Sequence, residues 1–186
     1  MHLKNNFKKV KAIKKTIFVL VMLLVFLTGC SVTNVDKTEK YEGEKLRIGI
    51  IGDTPEIRET QVEFEEIDFG FLKEGNFDSQ YDAIFITKDN LSEASNAEYV
   101  PIYKKSKIPF YFIDTDKSHV NFIMEDLSYE DEPDTEDGMY ITGLLYTKDK
   151  FWRYGLYNDT KSEKNIKCVY SRVFEDISKI KNNKLP

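Results

Sequence analysis

Short apolar runs with almost no polar interruption set the strongest limit on how this chain folds. Leu46-Arg-Ile-Gly-Ile-Ile51, Tyr81-Asp-Ala-Ile-Phe-Ile-Thr87 and Ile108-Pro-Phe-Tyr-Phe-Ile-Asp114 are too short for ordinary helices. They are also too uniformly apolar for strands with one wet face, so they read as strands covered on both sides. The segments between them supply the cover. Gly52-Asp53-Thr54-Pro55-Glu56 predicts a turn into a helix capped by Asp53 or Thr54, with Pro55 in its first turn. Val62 to Phe69 alternates loosely, as an edge strand with Val62, Phe64 and Phe69 inward would. Asn90-Leu-Ser-Glu93 has capping-box form and predicts a helix towards Tyr99 that Pro101 ends or kinks.

From residue 139 the pattern changes. Met139 to Tyr146 and Phe151 to Tyr157 flank Thr147-Lys-Asp-Lys150, which predicts a hairpin extending the sheet in antiparallel fashion. Its aromatics alternate between faces, half joining the core and half exposed. Ile166, Val169, Tyr170, Val173, Phe174, Ile177 and Ile180 then recur at helical spacing, giving a terminal amphipathic helix with one apolar stripe; Ser171 and Cys168 fall off it. The expected fold is a three-layer α/β domain over 46–186, with a mainly parallel sheet, an antiparallel hairpin extension and a C-terminal amphipathic helix. Residues 81–115, and Lys107-Ile-Pro-Phe-Tyr-Phe-Ile-Asp-Thr115 in particular, resemble a β-α-β unit of the sugar-type periplasmic binding proteins. That family encloses its ligand between two lobes, whereas residues 46–186 suffice for one.

The N-terminus carries an address. Six lysines and no acid precede Ile17-Phe-Val-Leu-Val-Met-Leu-Leu-Val-Phe-Leu27. This run of 11 residues falls short of the roughly 20 that span a bilayer. It closes on Leu27-Thr28-Gly29-Cys30-Ser31, which resembles the bacterial lipoprotein lipobox. The resemblance implies a signal peptide over 1–29, diacylglycerol on the Cys30 thiol, and a protein tethered by its lipid to the extracytoplasmic face of the cell membrane. Two acyl chains hold far more firmly than one myristoyl group. Residues 30–45, polar and without periodicity, read as the lipidated tether.

Charge and cysteine arithmetic narrow the function classes. All 32 acids but only 21 of the 27 bases lie in 30–186, a net charge of −11, so binding to nucleic-acid phosphates is excluded. With Cys30 acylated, Cys168 has no intramolecular partner, and a monomer without a disulfide is expected. His119 is the one histidine after the signal region, which excludes catalysis or metal binding built on several histidines and cysteines; it reads as a surface or capping residue. The spacing Gly49-Ile-Ile-Gly52 is not a dinucleotide fingerprint, so no nucleotide cofactor is expected.

Ligands of open parallel sheets bind beyond the carboxyl ends of the strands. Asp53 and Thr54 follow the first strand, Asp89 follows Thr87-Lys88, and Asp114 and Asp116 flank Thr115. Converging there, these oxygens would suit Mg²⁺ or Ca²⁺; as caps and turns they would need no ligand. Eight acids in the thirteen positions from Glu125 to Asp137 fail the EF-hand spacing and read as a solvated loop, with weak Ca²⁺ or a basic partner as the alternative. The expected function is that of a non-catalytic binding or accessory module of the cell envelope, without cofactor. A divalent-metal-dependent hydrolase or phosphotransfer-like domain using Asp53, Asp89, Asp114 and Asp116, and a solitary solute-binding lobe, are the competing readings.

Overall fold

Five of the six residues of the first apolar run are buried, and Arg47 alone reaches solvent, where it pairs with Glu65 at 2.5 Å. In the computed structural model, which describes residues 39–135 and 138–184, this run is strand β1 (Leu46–Ile51). Strands β2 (Val62–Glu66), β3 (Ala83–Ile86), β4 (Phe110–Ile113), β5 (Met139–Leu145) and β6 (Lys150–Gly155) complete one sheet in the order β2-β1-β3-β4-β5-β6. The pairs β1–β2, β1–β3 and β3–β4 are parallel; β4–β5 and β5–β6 are antiparallel. The expected parallel sheet with a hairpin extension is therefore present, and β2 is an edge strand as its acids required. The hairpin turns through a 3-10 segment, Tyr146–Lys148, and a left-handed Asp149 with φ 51°.

The sheet is covered on both faces, because alternate residues of each strand feed different clusters. Ile48, Ile50, Phe85, Tyr111 and Ile141 meet the terminal helix, while Ile84, Ile86, Phe110, Phe112 and Leu144 meet the short helices on the other side. These are α1 (Phe69–Glu74), α2 (Leu91–Ala94) and α3 (Val100–Lys105). Asp68 caps α1 by accepting from the Phe71 amide at 2.8 Å. The terminal helix α4 (Glu163–Lys181) starts on Ser162, whose hydroxyl accepts from the Asn165 amide. Its predicted stripe is the buried one: Val169, Tyr170, Val173, Phe174 and Ile177 are covered, and Ile166 and Ile180 are half-buried at its ends. Phe85 stacks on both Tyr170 and Phe174.

Five expectations are corrected. No helix follows β1: residues 52–61 run irregularly, so Asp53 and Thr54 cap nothing. The face such a helix would cover is taken by α4, against which Ile57 packs while Glu56 pairs with Lys167. Phe69 begins α1 instead of ending β2. The helix expected from Asn90 is two pieces, and Pro101 lies at the start of α3, where its missing N–H has no intrahelical acceptor to lose. The tether, read to residue 45, is packed from Tyr41 onward. Tyr41 is 1% exposed, its amide donates to Glu59 Oε1 at 3.2 Å, and its carbonyl accepts from Gln61 Nε2 at 2.7 Å.

Ser171 is the fifth. Although off the apolar stripe, it is 1% exposed, because the chain from β1 to β2 crosses that side of α4. Its hydroxyl donates to Glu59 Oε1 at 2.6 Å and accepts from the Arg58 guanidinium at 2.5 Å. Glu59 also accepts from the Arg58 amide at 3.0 Å. The buried carboxylate is thereby satisfied by groups from three separate stretches of chain.

Candidate functional site: the carboxyl ends of the strands

The strand order reverses between β1 and β3, which makes their carboxyl ends the topological switch point. Here the two chains meet side by side. Gly52 turns with φ 101°, and a Cβ on it would stand 1.9 Å from Thr87 Oγ1 and 2.5 Å from Asn90 Nδ2. Thr87 donates to the Ile51 carbonyl at 3.3 Å. The side chains of Thr87 and Asn90 thus occupy the place where a crevice would open, and glycine at 52 is what lets them in. Asp53, Thr54 and Asp89 stand exposed around this junction.

The end of β4 is built differently. Asp114 is half-buried, holds φ 58°, and presents both carboxylate oxygens to Lys161 Nζ at 2.8 Å. A non-glycine residue in the left-handed region stores strain of order 1 kcal/mol, and the ion pair is one of the contacts that fix it. The Lys161 ammonium also sits 5.7 Å from the centre of the Tyr140 ring. Burial first, then the nearby Asp114 carboxylate, push the Tyr140 phenol up; burial, then Tyr140 and more weakly Asp114, do the same to Tyr170. Both stay protonated at neutral pH. The arrangement clamps the end of β4 to the start of α4.

Asp116 lies beyond this clamp, exposed, with its carbonyl taken by the Thr135 amide at 2.7 Å and hydroxyl at 2.6 Å. Thr115 between the two acids is buried and bonded to Tyr129 at 3.0 Å. Convergence of Asp53, Asp89, Asp114 and Asp116, the competing reading, gains no support from these placements. The first two surround the β1–β3 junction, Asp114 is neutralised by Lys161, and Asp116 anchors a loop. Among the described residues no group of three or more His, Cys, Asp or Glu side chains is placed to hold a metal ion.

The acidic stretch is not simply a solvated loop. Lys117 donates to Asp134 at 2.8 Å and to the Glu132 carbonyl at 2.5 Å, Ser118 bonds Glu132, and the Tyr129 amide donates to Ser95 Oγ at 2.9 Å. Phe122 stacks on Phe112 beneath it. The segment from Asp116 to Thr135 is therefore a folded cap over the end of β4, with Glu125, Asp126, Glu130 and Asp131 facing water.

His119 sits at the start of a 3-10 turn, Val120–Phe122, but its side chain makes no capping hydrogen bond. Its ring stacks on Phe151 at 4.0 Å, and its Nδ1 is buried without a hydrogen-bond partner. Burial holds its pKa below the usual imidazole value; Arg153 works in the same direction and Glu132 against it. Between the folded pKa and the ordinary value of about 6.5 the unfolded chain binds more protons, so stability falls as pH drops through that window. The urea midpoint is expected to decrease from about pH 7.5 to about pH 5.5, and the decrease to shrink in His119→Gln; an unchanged slope would remove His119 as its source.

Cys30 and the signal segment lie outside the described residues. No helix among those described is long and apolar enough to cross a membrane. Comparison of the chain with protein-family models, with curated proteins and with solved structures finds no match.

Proposed function

We propose that this chain is a membrane-anchored extracytoplasmic lipoprotein whose α/β domain serves as a non-catalytic binding or accessory module of the cell envelope. The observation that carries the anchoring is the ordered sequence of a basic segment, an 11-residue apolar run and Leu27-Thr28-Gly29-Cys30. The module reading is supported by how the strand ends are used. Thr87 and Asn90 fill the switch point against Gly52, and Lys161 neutralises Asp114. A hydrolase or phosphotransfer mechanism would need those acids around one reacting centre, as ligands of Mg²⁺ or as a nucleophile beside it.

The test is Cys30→Ser. Lipidation requires the thiol, so the variant is expected to lose membrane attachment or to stay unprocessed, whereas the parent protein partitions into the detergent phase. A processed Cys30→Ser protein that still entered the detergent phase would overturn the anchoring. For the module, phosphoesterase and esterase activity with Mg²⁺ or Ca²⁺ should be absent, and equally so in Asp114→Asn. Turnover that Asp114→Asn abolished would return the metal-dependent reading.

A further inference from the structure

The parallel strands give the domain two unlike ends. β1, β3 and β4 run the same way, and β5 returns beside β4 with Leu144 opposite Phe110. The starts of the three strands therefore share one end of the sheet with the tip of the β5–β6 hairpin. The last turns of α4 reach this end too, where Lys181 donates to the Lys45 carbonyl at 3.1 Å and Ser178 and Asn182 hold Glu44. The opposite end, where the strands finish, is acidic. Asp53, Asp89 and Asp116 are exposed there, and the cap over β4 adds Glu130 and Asp131.

The starting end carries the reverse charge. α3 brings Lys104 and Lys105 to it, the loop into β4 adds Lys107, and the hairpin tip adds Lys148 and Lys150. Loop and tip are joined, since the Thr147 hydroxyl donates to the Ser106 carbonyl at 2.8 Å. Tyr146 stands exposed among these lysines, its ring centre 5.6 Å from the Lys104 ammonium. Most neighbouring acids are engaged. Asp78 accepts from the Ser106 hydroxyl at 3.2 Å and the Lys107 amide at 3.3 Å, and Lys181 pairs with Asp82 at 3.1 Å and Glu44 at 3.7 Å. Asp149 at the tip and Glu42 near the tether leave the five lysines in excess.

The chain also enters the domain at this end. Residues 41–45 run into β1 beside the last turns of α4, and nine residues separate Glu39 from Cys30, a reach of at most about 32 Å. The hairpin tip lies four strands across the sheet from β1, or about 19 Å. An acylated Cys30 keeps this end close to a bilayer, so a second contact is intramolecular and weak attraction suffices. Anionic headgroups attract clustered lysines, and tyrosine rings settle at headgroup level.

We propose that the end bearing Lys104, Lys105, Lys107, Lys148 and Tyr146 rests on anionic lipid headgroups of the membrane that holds the anchor, with the acidic end turned away. The inference rests on the lipoprotein reading and adds a lipid class and an orientation to it.

The test uses the full chain, reconstituted from detergent onto vesicles of phosphatidylcholine alone or with about 30 mol % phosphatidylglycerol. Acetylation by an uncharged succinimidyl ester, mapped by mass spectrometry, reads each lysine, with Lys88, exposed at the acidic end, as reference. Lys104, Lys105, Lys107 and Lys148 are expected to react several-fold more slowly on the anionic vesicles and Lys88 equally fast on both; about 0.5 M NaCl should abolish the difference. Lys105→Glu with Lys148→Glu, both at exposed positions, should return Lys104 and Lys107 to their rates on phosphatidylcholine. Equal rates on the two kinds of vesicle, or slowing at Lys88 as large as at the four, would overturn the proposal. So would protection already present on phosphatidylcholine, which would assign the surface to a second copy of the chain. Sedimentation with the vesicles separates this inference from the anchoring. Attachment to both kinds with equal lysine rates keeps the anchor and removes the headgroup contact. Attachment to anionic vesicles alone, lost in salt, keeps the contact and removes the anchor, and attachment to neither removes both.

Discussion

Val173→Asp is expected to destroy cooperative folding, with a loss of at least about 4 kcal/mol. Val173 is fully buried at the middle of α4, among the side chains that cover the sheet face formed by Ile48, Ile50, Phe85 and Tyr111. A carboxylate there enters the buried apolar cluster of α4 and the sheet, so the chain must either bury a charge or protonate it, and both are costly. Val173→Ala separates charge from volume: it removes only methyl groups and should cost about 2 kcal/mol while leaving one cooperative transition. Urea unfolding followed by far-UV circular dichroism measures both. A normal midpoint for Val173→Asp would mean that α4 does not cover the sheet.

Ser171→Asp is the second large effect, and the helical pattern by itself argues for the opposite result. Read as a position off the stripe, residue 171 should tolerate a charge. In the fold its hydroxyl is 2.6 Å from Glu59 Oε1 in a buried setting, so an aspartate would place two carboxylates in contact. One of them must then take up a proton or be expelled, and a loss of about 3 kcal/mol or more is expected. Ser171→Ala should lose about 1–2 kcal/mol, because Glu59 keeps the amides of Tyr41 and Arg58. The loss in Ser171→Asp should also lessen at acidic pH, as protonation relieves the repulsion. Equal urea midpoints for Ser171→Asp and the parent would show that Glu59 does not lie against the helix.

The candidate site was legible in part. That Asp53, Thr54, Asp89, Asp114 and Asp116 lie at strand ends follows from where the apolar runs stop. Whether they converge does not, because that depends on how neighbouring ends are filled. Gly52, Thr87 and Asn90 close the switch point through contacts between residues 35 and more apart in sequence, as in the Thr87 bond to Ile51 at |i−j| of 36. Asp114 is matched to Lys161 across 47 residues, and neither residue's local context announces the other.

The sequence by itself determined the secondary structure wherever a side of each element is buried in a regular period. Uninterrupted apolar runs made β1, β3 and β4 two-sided strands, acids made β2 an edge, the hairpin followed from two aromatic runs around a polar turn, and the spacing of Val169, Tyr170, Val173, Phe174 and Ile177 made α4. Tertiary structure alone decided which element covers which face. One sheet face admits only one layer of helix, and α4, with five buried apolar side chains on a single stripe, takes the place a helix after β1 would have filled. The connection from β1 to β2 is then left as an irregular chain crossing the helix. That crossing is what buries Glu59 and Ser171 and draws Tyr41 out of the tether into the core. These choices are competitions between distant segments for the same apolar surface, and a local pattern carries information about its own burial but not about its competitor.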